Sequence, residues 1–228
     1  MRIMPQSCLE RLSPRDFEFM GLVLNQIDAS HEDPFVRLAG DPDTLHHLLK
    51  HPKLLEAVTS LKQPINISAE LYFFVIVRHA LCEAGIDHLE MTDYVAGTLV
   101  DFAKGNPFKT EPEDPVQIDS TPYHVDFIEA INSANAYDQF YLHVRCGNQF
   151  LVLTGLFPGF IKHREKRKGA PGVRYYESVA RESYRSAREH PLANEFNLCE
   201  VYDVLADHFR QTRRALNHLA MEYLWIGG

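Results

Sequence analysis

One apolar stripe near the end of the chain constrains the fold more than any other feature. Apolar residues recur at spacings of three and four over residues 198–223, which is typical of a long amphipathic helix. The stripe consists of Leu198, Val201, Leu205, Phe209, Thr212, Leu216, Leu219 and Tyr223. A helix of this length must bury its stripe against a partner, so the pattern predicts a helical bundle. Any part of the stripe left exposed would form a homodimer interface.

Helix start and stop signals recur along the rest of the chain. Ser13, Pro14 and Asp16 form a capping pattern ahead of an apolar series that runs to Ile27. Similar signals predict an all-α fold of about eight helices in a single domain over residues 1–228. An acidic, proline-rich connection at 106–119 is the candidate internal boundary, and the basic stretch 162–169 is predicted to form a loop.

Charge and cysteine usage exclude several classes of protein. The formal net charge is −8, which excludes a globally basic nucleic-acid binder, and we expect no nucleic-acid partner. The four cysteines form no C-x-x-C pair and are expected to be reduced thiols in the cytoplasm. No apolar run approaches the roughly 20 residues that span a bilayer, so no integral membrane segment is predicted.

Arg78 lies inside an apolar helical segment and is the first candidate ligand-binding residue. A buried guanidinium needs a partner. We expect an acid from another helix, and the candidates are Asp93, Asp101, Asp126 and Asp138. An ion pair that fixes helix register is the alternative to an anion-binding site.

A second polar stripe follows in a later helix. Asp138, Tyr141 and Arg145 share one face with Asn148, and His143 lies nearby. Tyr175 and Tyr176 open the next long helix. Together with Arg78, these residues predict a pocket in which guanidinium groups hold an anionic small molecule. An interhelical hydrogen-bond network is the alternative explanation.

A metal-dependent helical bundle is the competing functional hypothesis. Di-iron carboxylate bundles use two Glu-x-x-His motifs, and this sequence has none. If iron or manganese were bound as a cofactor, the candidate ligands would be Glu70, His79, His143 and His208. Such a site would indicate an oxidase or oxygenase.

Residues 147–158 carry a resemblance to other proteins. They read Gly-Asn-Gln-Phe-Leu-Val-Leu-Thr-Gly-Leu-Phe-Pro, and Tyr175-Tyr176 and Ser183-Tyr184 follow. This resembles a pattern shared by uncharacterised helical bacterial proteins, in which an acid often stands where this chain has Asn148. The resemblance implies a bacterial cytosolic protein and assigns no catalytic residue.

The sequence as a whole therefore predicts a ligand-binding or protein-interaction module, and whether it is an enzyme stays open. The metal-dependent oxidase and a structural dimer or adaptor are the alternatives. The apolar end at 150–161, followed by basic residues, also resembles a membrane-surface anchor.

Overall fold

The computed structural model of the chain describes residues 7–24, 42–60, 67–104 and 124–224. Within these ranges a 3-10 turn at Leu9–Arg11 is followed by eleven α-helices, and no strand is present. The helices are α1 (Pro14–Val23), α2 (Pro42–Leu49), α3 (Pro52–Thr59), α4 (Ala69–Glu83), α5 (Leu89–Ala103), α6 (His124–Ser133), α7 (Ala136–Leu156), α8 (Pro158–Lys168), α9 (Val173–Glu189), α10 (Pro191–Glu195) and α11 (Cys199–Glu222). The prediction of an all-α fold with a long C-terminal helix is confirmed.

Caps at the helix starts explain why these segments form helices locally. Ser13 and Asp16 form a reciprocal capping box at α1, and Pro14 occupies the first helical position. The Asp16 carboxylate is fully buried and also accepts a hydrogen bond from the N–H of Ser68 at 2.8 Å. Because Ser68 is the N-cap of α4, one carboxylate joins the starts of two helices.

A second carboxylate holds the N-terminal turn against α5. Asp93 accepts hydrogen bonds from the backbone N–H groups of Cys8 at 2.9 Å and Leu9 at 3.1 Å. Burial raises the pKa of Asp93 above its ordinary value, while these donors favour the charged form. Hydrogen bonds to Asp93 therefore fix the N-terminal segment to α5.

Two glycines of α7 allow neighbouring helices to approach closely. A Cβ at Gly147 would lie 2.8 Å from the ring of Tyr184 on α9, and one at Gly155 would lie 3.0 Å from Leu216 on α11. Asn217 on α11 also donates to the carbonyl of Thr154 at 2.9 Å. Side chains of α9 and α11 thus contact the backbone of α7 directly.

The apolar stripe of α11 is buried inside the chain. It packs against α4, α5, α7 and α9. The buried stripe residues are Val201, Leu205, Phe209, Thr212, Leu216 and Leu219. The homodimer prediction assumed that part of this stripe is exposed, and these residues are buried within the chain instead. Dimerisation itself stays a prediction.

The basic stretch at 162–169 is not the predicted loop. Pro158 starts α8 directly after α7, and the helix continues to Lys168. Lysine and arginine are good helix formers, so the run of charge did not break the helix. Gly169 ends α8 in the left-handed conformation, with φ 61°, which glycine adopts without steric cost.

Some predicted features lie outside the described residues. These are the boundary at 106–119 and the end of the first helix beyond residue 24. No helix within the described ranges is long and apolar enough to cross a membrane.

Replacing Gly147 by alanine should destabilise the protein by about 1–3 kcal/mol, because the new methyl group overlaps the buried Tyr184 ring. The measurement is the free energy of unfolding in urea. Gly159→Ala is the matched control, since a Cβ there meets nothing within 4 Å. Equal stability of the two variants would contradict the close approach of α7 and α9.

Candidate functional site

A groove between α6, α7 and α9 is the candidate functional site. Its volume is about 300 Å³, at the lower end of the range of small-molecule sites. The lining residues are Phe127, Ile128, Ile131, Asn132, His143, Cys146, Ser178, Val179, Glu182 and Ser183. Most of the lining is apolar, and α6, α7 and α9 each contribute polar side chains.

His143 and Glu182 give the groove its electrostatic character. Burial lowers the pKa of His143 below its ordinary 6.5, and the charge of Glu182 opposes that effect. The Nδ1 atom of His143 is buried and has no hydrogen-bond partner among the described residues. The imidazole is therefore a neutral side chain in the lining of the groove, and Glu182 on α9 places an exposed carboxylate there.

The groove contains the thiol of Cys146, and this thiol is not activated. Burial raises the pKa of its thiol to about 12, although a hydrogen bond with Ser183 acts in the opposite direction. The thiolate is the reactive form of cysteine, so this side chain is a poor nucleophile at neutral pH.

Arg78 lies elsewhere, and its predicted partners were wrong. The guanidinium is buried on α4 and donates to Thr92 Oγ1 at 3.4 Å and to Asp87. Asp87 also accepts from Lys50, and both cations lower the pKa of its carboxyl. The acid comes from the connection between α4 and α5 and not from another helix. The guanidinium thus holds that connection to α4.

The remaining predicted ligand-binding residues are spread along the bundle. Asp138 is exposed in the first turn of α7 and bonds to the N-cap Asn135. Tyr141 shares a hydrogen bond with Tyr137 at 3.3 Å. Arg145 lies half-buried further along α7 and does not line the groove.

The tyrosines at the start of α9 lie near the other end of α7. Tyr176 is buried and stacks on Phe150 with ring centroids 4.9 Å apart, while Tyr175 is exposed. Asp138 and Phe150 are separated by about 18 Å of helical rise. The structure therefore does not bring these tyrosines to Asp138. Of the seven predicted ligand-binding residues, His143 alone lines the groove.

The four candidate metal ligands do not converge. Within the described ranges, no three His, Cys, Asp or Glu side chains form a group that could hold a metal ion. Glu70 forms ion pairs with Lys104 at 2.6 Å and Arg11 at 3.2 Å. His79 is half-buried on α4, and His208 is exposed on α11.

A buried tyrosine cluster was missed by the sequence analysis. Tyr94 and Tyr184 each donate a hydrogen bond of 2.9 Å to Oδ1 of Asn148. The ring of Tyr202 stacks on Tyr184, and burial raises the pKa of all three hydroxyls. The available signal was Gly147 beside Asn148, because a glycine and an amide inside an apolar helix indicate close polar packing.

The fold and groove define an all-α protein with a cleft of small-molecule size between α6, α7 and α9. Comparison with protein-family models, curated proteins and solved structures finds no match. The resemblance at residues 147–158 stays a prediction.

Stability should fall as the pH drops below 6.5, in part because of His143. Burial makes the folded state bind a proton on this imidazole less readily than the unfolded chain does. The stabilising contribution is therefore fully present above pH 6.5 and is lost as the pH falls towards the lower pKa of the folded state. Urea unfolding measured across this range should show a weaker pH dependence in His143→Gln.

His79 acts in the same direction, because burial lowers its pKa as well, so the variant should reduce the dependence without abolishing it. His163→Gln, which removes an exposed imidazole from α8, is the matched control. If the free energy of unfolding of His143→Gln falls as steeply below pH 6.5 as that of the parent protein, His143 is solvated in the folded state.

Proposed function

We propose that this protein binds a small molecule with an apolar body and a polar group in the groove between α6, α7 and α9. The observation that carries the proposal is a cleft of about 300 Å³ with an apolar lining and a buried imidazole nitrogen that lacks a partner. Small-molecule sites combine a mostly apolar wall with a few polar groups that fix orientation.

The charges of the groove favour a neutral or cationic ligand over an anionic one. Arg78 and Arg145, which supported the anionic hypothesis, are absent from the lining, and Glu182 places a carboxylate there. A like charge beside a carboxylate raises the free energy of the complex. His143 supplies a hydrogen bond to the polar group of the ligand, and Ile128, Ile131 and Val179 contact its apolar body.

We also propose a cytoplasmic location. All four cysteines lie in the described ranges and are free, and Cys8 and Cys146 are buried. Free thiols persist in the reducing cytoplasm, whereas exported proteins meet an oxidising environment.

Two fluorescent probes of similar size and different charge test the binding proposal. N-phenyl-1-naphthylamine is neutral and 8-anilinonaphthalene-1-sulfonate is anionic, and both become fluorescent in apolar sites. We expect the neutral probe to bind more tightly. Ser178→Trp should weaken its binding by about tenfold or more, equivalent to about 1.4 kcal/mol, because the exposed Ser178 lines the groove.

Arg185→Trp is the control for the added indole, since Arg185 is exposed two turns further along α9 and does not line the groove. If both tryptophan variants bind the neutral probe as the parent does, the groove is not the binding site.

Glu182→Gln should strengthen binding of the anionic probe relative to the neutral one, because it removes the carboxylate that repels the sulfonate. Glu189→Gln removes an exposed carboxylate from the same helix outside the groove and is the matched control. The measurement is the ratio of the two dissociation constants. A ratio that changes equally in both variants would indicate a long-range charge effect.

A further inference from the structure

Positive charge on this acidic protein is concentrated in α8. The helix carries five cations and one acid, Glu165, within Pro158–Lys168, while the whole chain has a net charge of −8. The cations are Lys162, Arg164, Lys166, Arg167 and Lys168. Cations in the last turn stabilise a helix through its dipole, but Lys162 lies before that turn. The helix dipole therefore accounts for only part of the concentration.

The cations of α8 differ in their pairing from several arginines on neighbouring helices. On α9 and α11, Arg188 pairs with Asp203 at 3.0 Å, and Arg210 pairs with Glu177 at 2.7 Å. On α8, Lys162, Lys166, Arg167 and Lys168 are exposed and form no ion pair with any part of the chain that the structure describes. The charge of α8 is thus left for an external anion.

The acid of α8, Glu165, is exposed and lies beside the segment that follows the helix. A Cβ added to Gly172 would lie 2.7 Å from Oε1 of Glu165, so this carboxylate packs against the chain that follows the helix. With about 3.6 residues per turn, Lys162, Lys166 and Arg167 lie on the side opposite the buried Ile161. The outward side of α8 is therefore positive, with no carboxylate among these three cations.

The structure removes most of the apolar part of the predicted membrane anchor. Ile161 is buried at 2% exposure, and Phe157 packs against Phe102 with ring centroids 5.6 Å apart. Phe160 is the large apolar side chain of α8 that remains exposed, at 46%, and the guanidinium of Arg164 lies 5.5 Å from its ring centroid. Peripheral membrane helices bury a continuous apolar face, which α8 lacks.

We propose that the outward side of α8 binds the phosphate backbone of single-stranded nucleic acid, with the ring of Phe160 as a stacking surface. Single-strand sites combine a positive track with aromatic side chains on which bases stack. The net negative charge of the chain acts weakly here, because charges more than about 8 Å away are screened at physiological salt. This site is separate from the groove, whose lining contains no residue of α8.

The test is fluorescence anisotropy of the full chain with labelled oligo(dT) and oligo(U) of about 20 nucleotides, longer than typical single-strand sites. We expect affinity to fall about 50-fold between about 50 and 200 mM salt, as for about four phosphate contacts on a single strand. Phe160→Ala should weaken binding by about fivefold or more, because one stacking contact is lost.

The decisive variant combines Lys162→Gln, Lys166→Gln and Arg167→Gln. In a plot of the logarithm of the association constant against the logarithm of the salt concentration, this variant should reduce the magnitude of the slope by about 2, because three phosphate contacts are lost. The matched control combines Arg185→Gln, Arg188→Gln and Arg214→Gln, which removes the same charge from exposed positions on α9 and α11. This control variant should show the same slope as the parent protein.

Four outcomes would overturn the proposal. They are no binding at about 50 mM salt, equal losses in the two triple variants, displacement of the oligonucleotide by equimolar poly-glutamate, and preferential binding to phosphatidylserine-containing vesicles. Displacement by poly-glutamate would assign α8 to an acidic protein partner, and vesicle binding would assign it to a lipid surface.

Discussion

The hydroxyl groups of Tyr94 and Tyr184 share one acceptor, the side-chain oxygen of Asn148, inside an otherwise apolar core. These residues belong to α5, α9 and α7, so one amide oxygen connects three helices. A buried hydroxyl without an acceptor costs about 1–3 kcal/mol, which penalises any shift of one helix past another. Gly147 lets the Tyr184 ring reach this position. The register of the bundle, and with it the shape of the groove, depends on these two adjacent residues of α7.

Local signals in the sequence accounted for the helices, because caps and apolar spacing act over a few residues. The capping box of Ser13 and Asp16 and the stripe of α11 are examples that the structure confirms. The loop predicted at 162–169 was wrong because charge density says little about backbone conformation when the residues are good helix formers. The partner of Arg78 was also mispredicted, because Asp87 lies in the connection just after α4, whereas the prediction considered acids on other helices.

The groove could not be predicted from the sequence for a different reason. His143 was predicted as a site residue, but Ser178 and Glu182 face it only because α9 packs on α7 at the register that Gly147 allows. That register is a property of long-range packing, which helical periodicity does not contain. Residues Asp138, Tyr141 and Arg145 lie on the same helix as predicted, yet Tyr176 meets α7 at Phe150, more than three turns from Asp138.

The two carboxylates at the N-terminal segment have a consequence for how the chain can be divided. Asp16 of α1 accepts from Ser68 at the start of α4, and Asp93 of α5 accepts from Cys8 and Leu9. Each segment therefore supplies the acceptor that the other requires. A fragment that begins at α2 would leave the Asp93 carboxylate without its two backbone donors and Ser68 without its acceptor. Residues 7–24 and the helices α4 and α5 thus satisfy each other's hydrogen bonds. We therefore expect that deletion of residues 7–24 would destabilise the bundle.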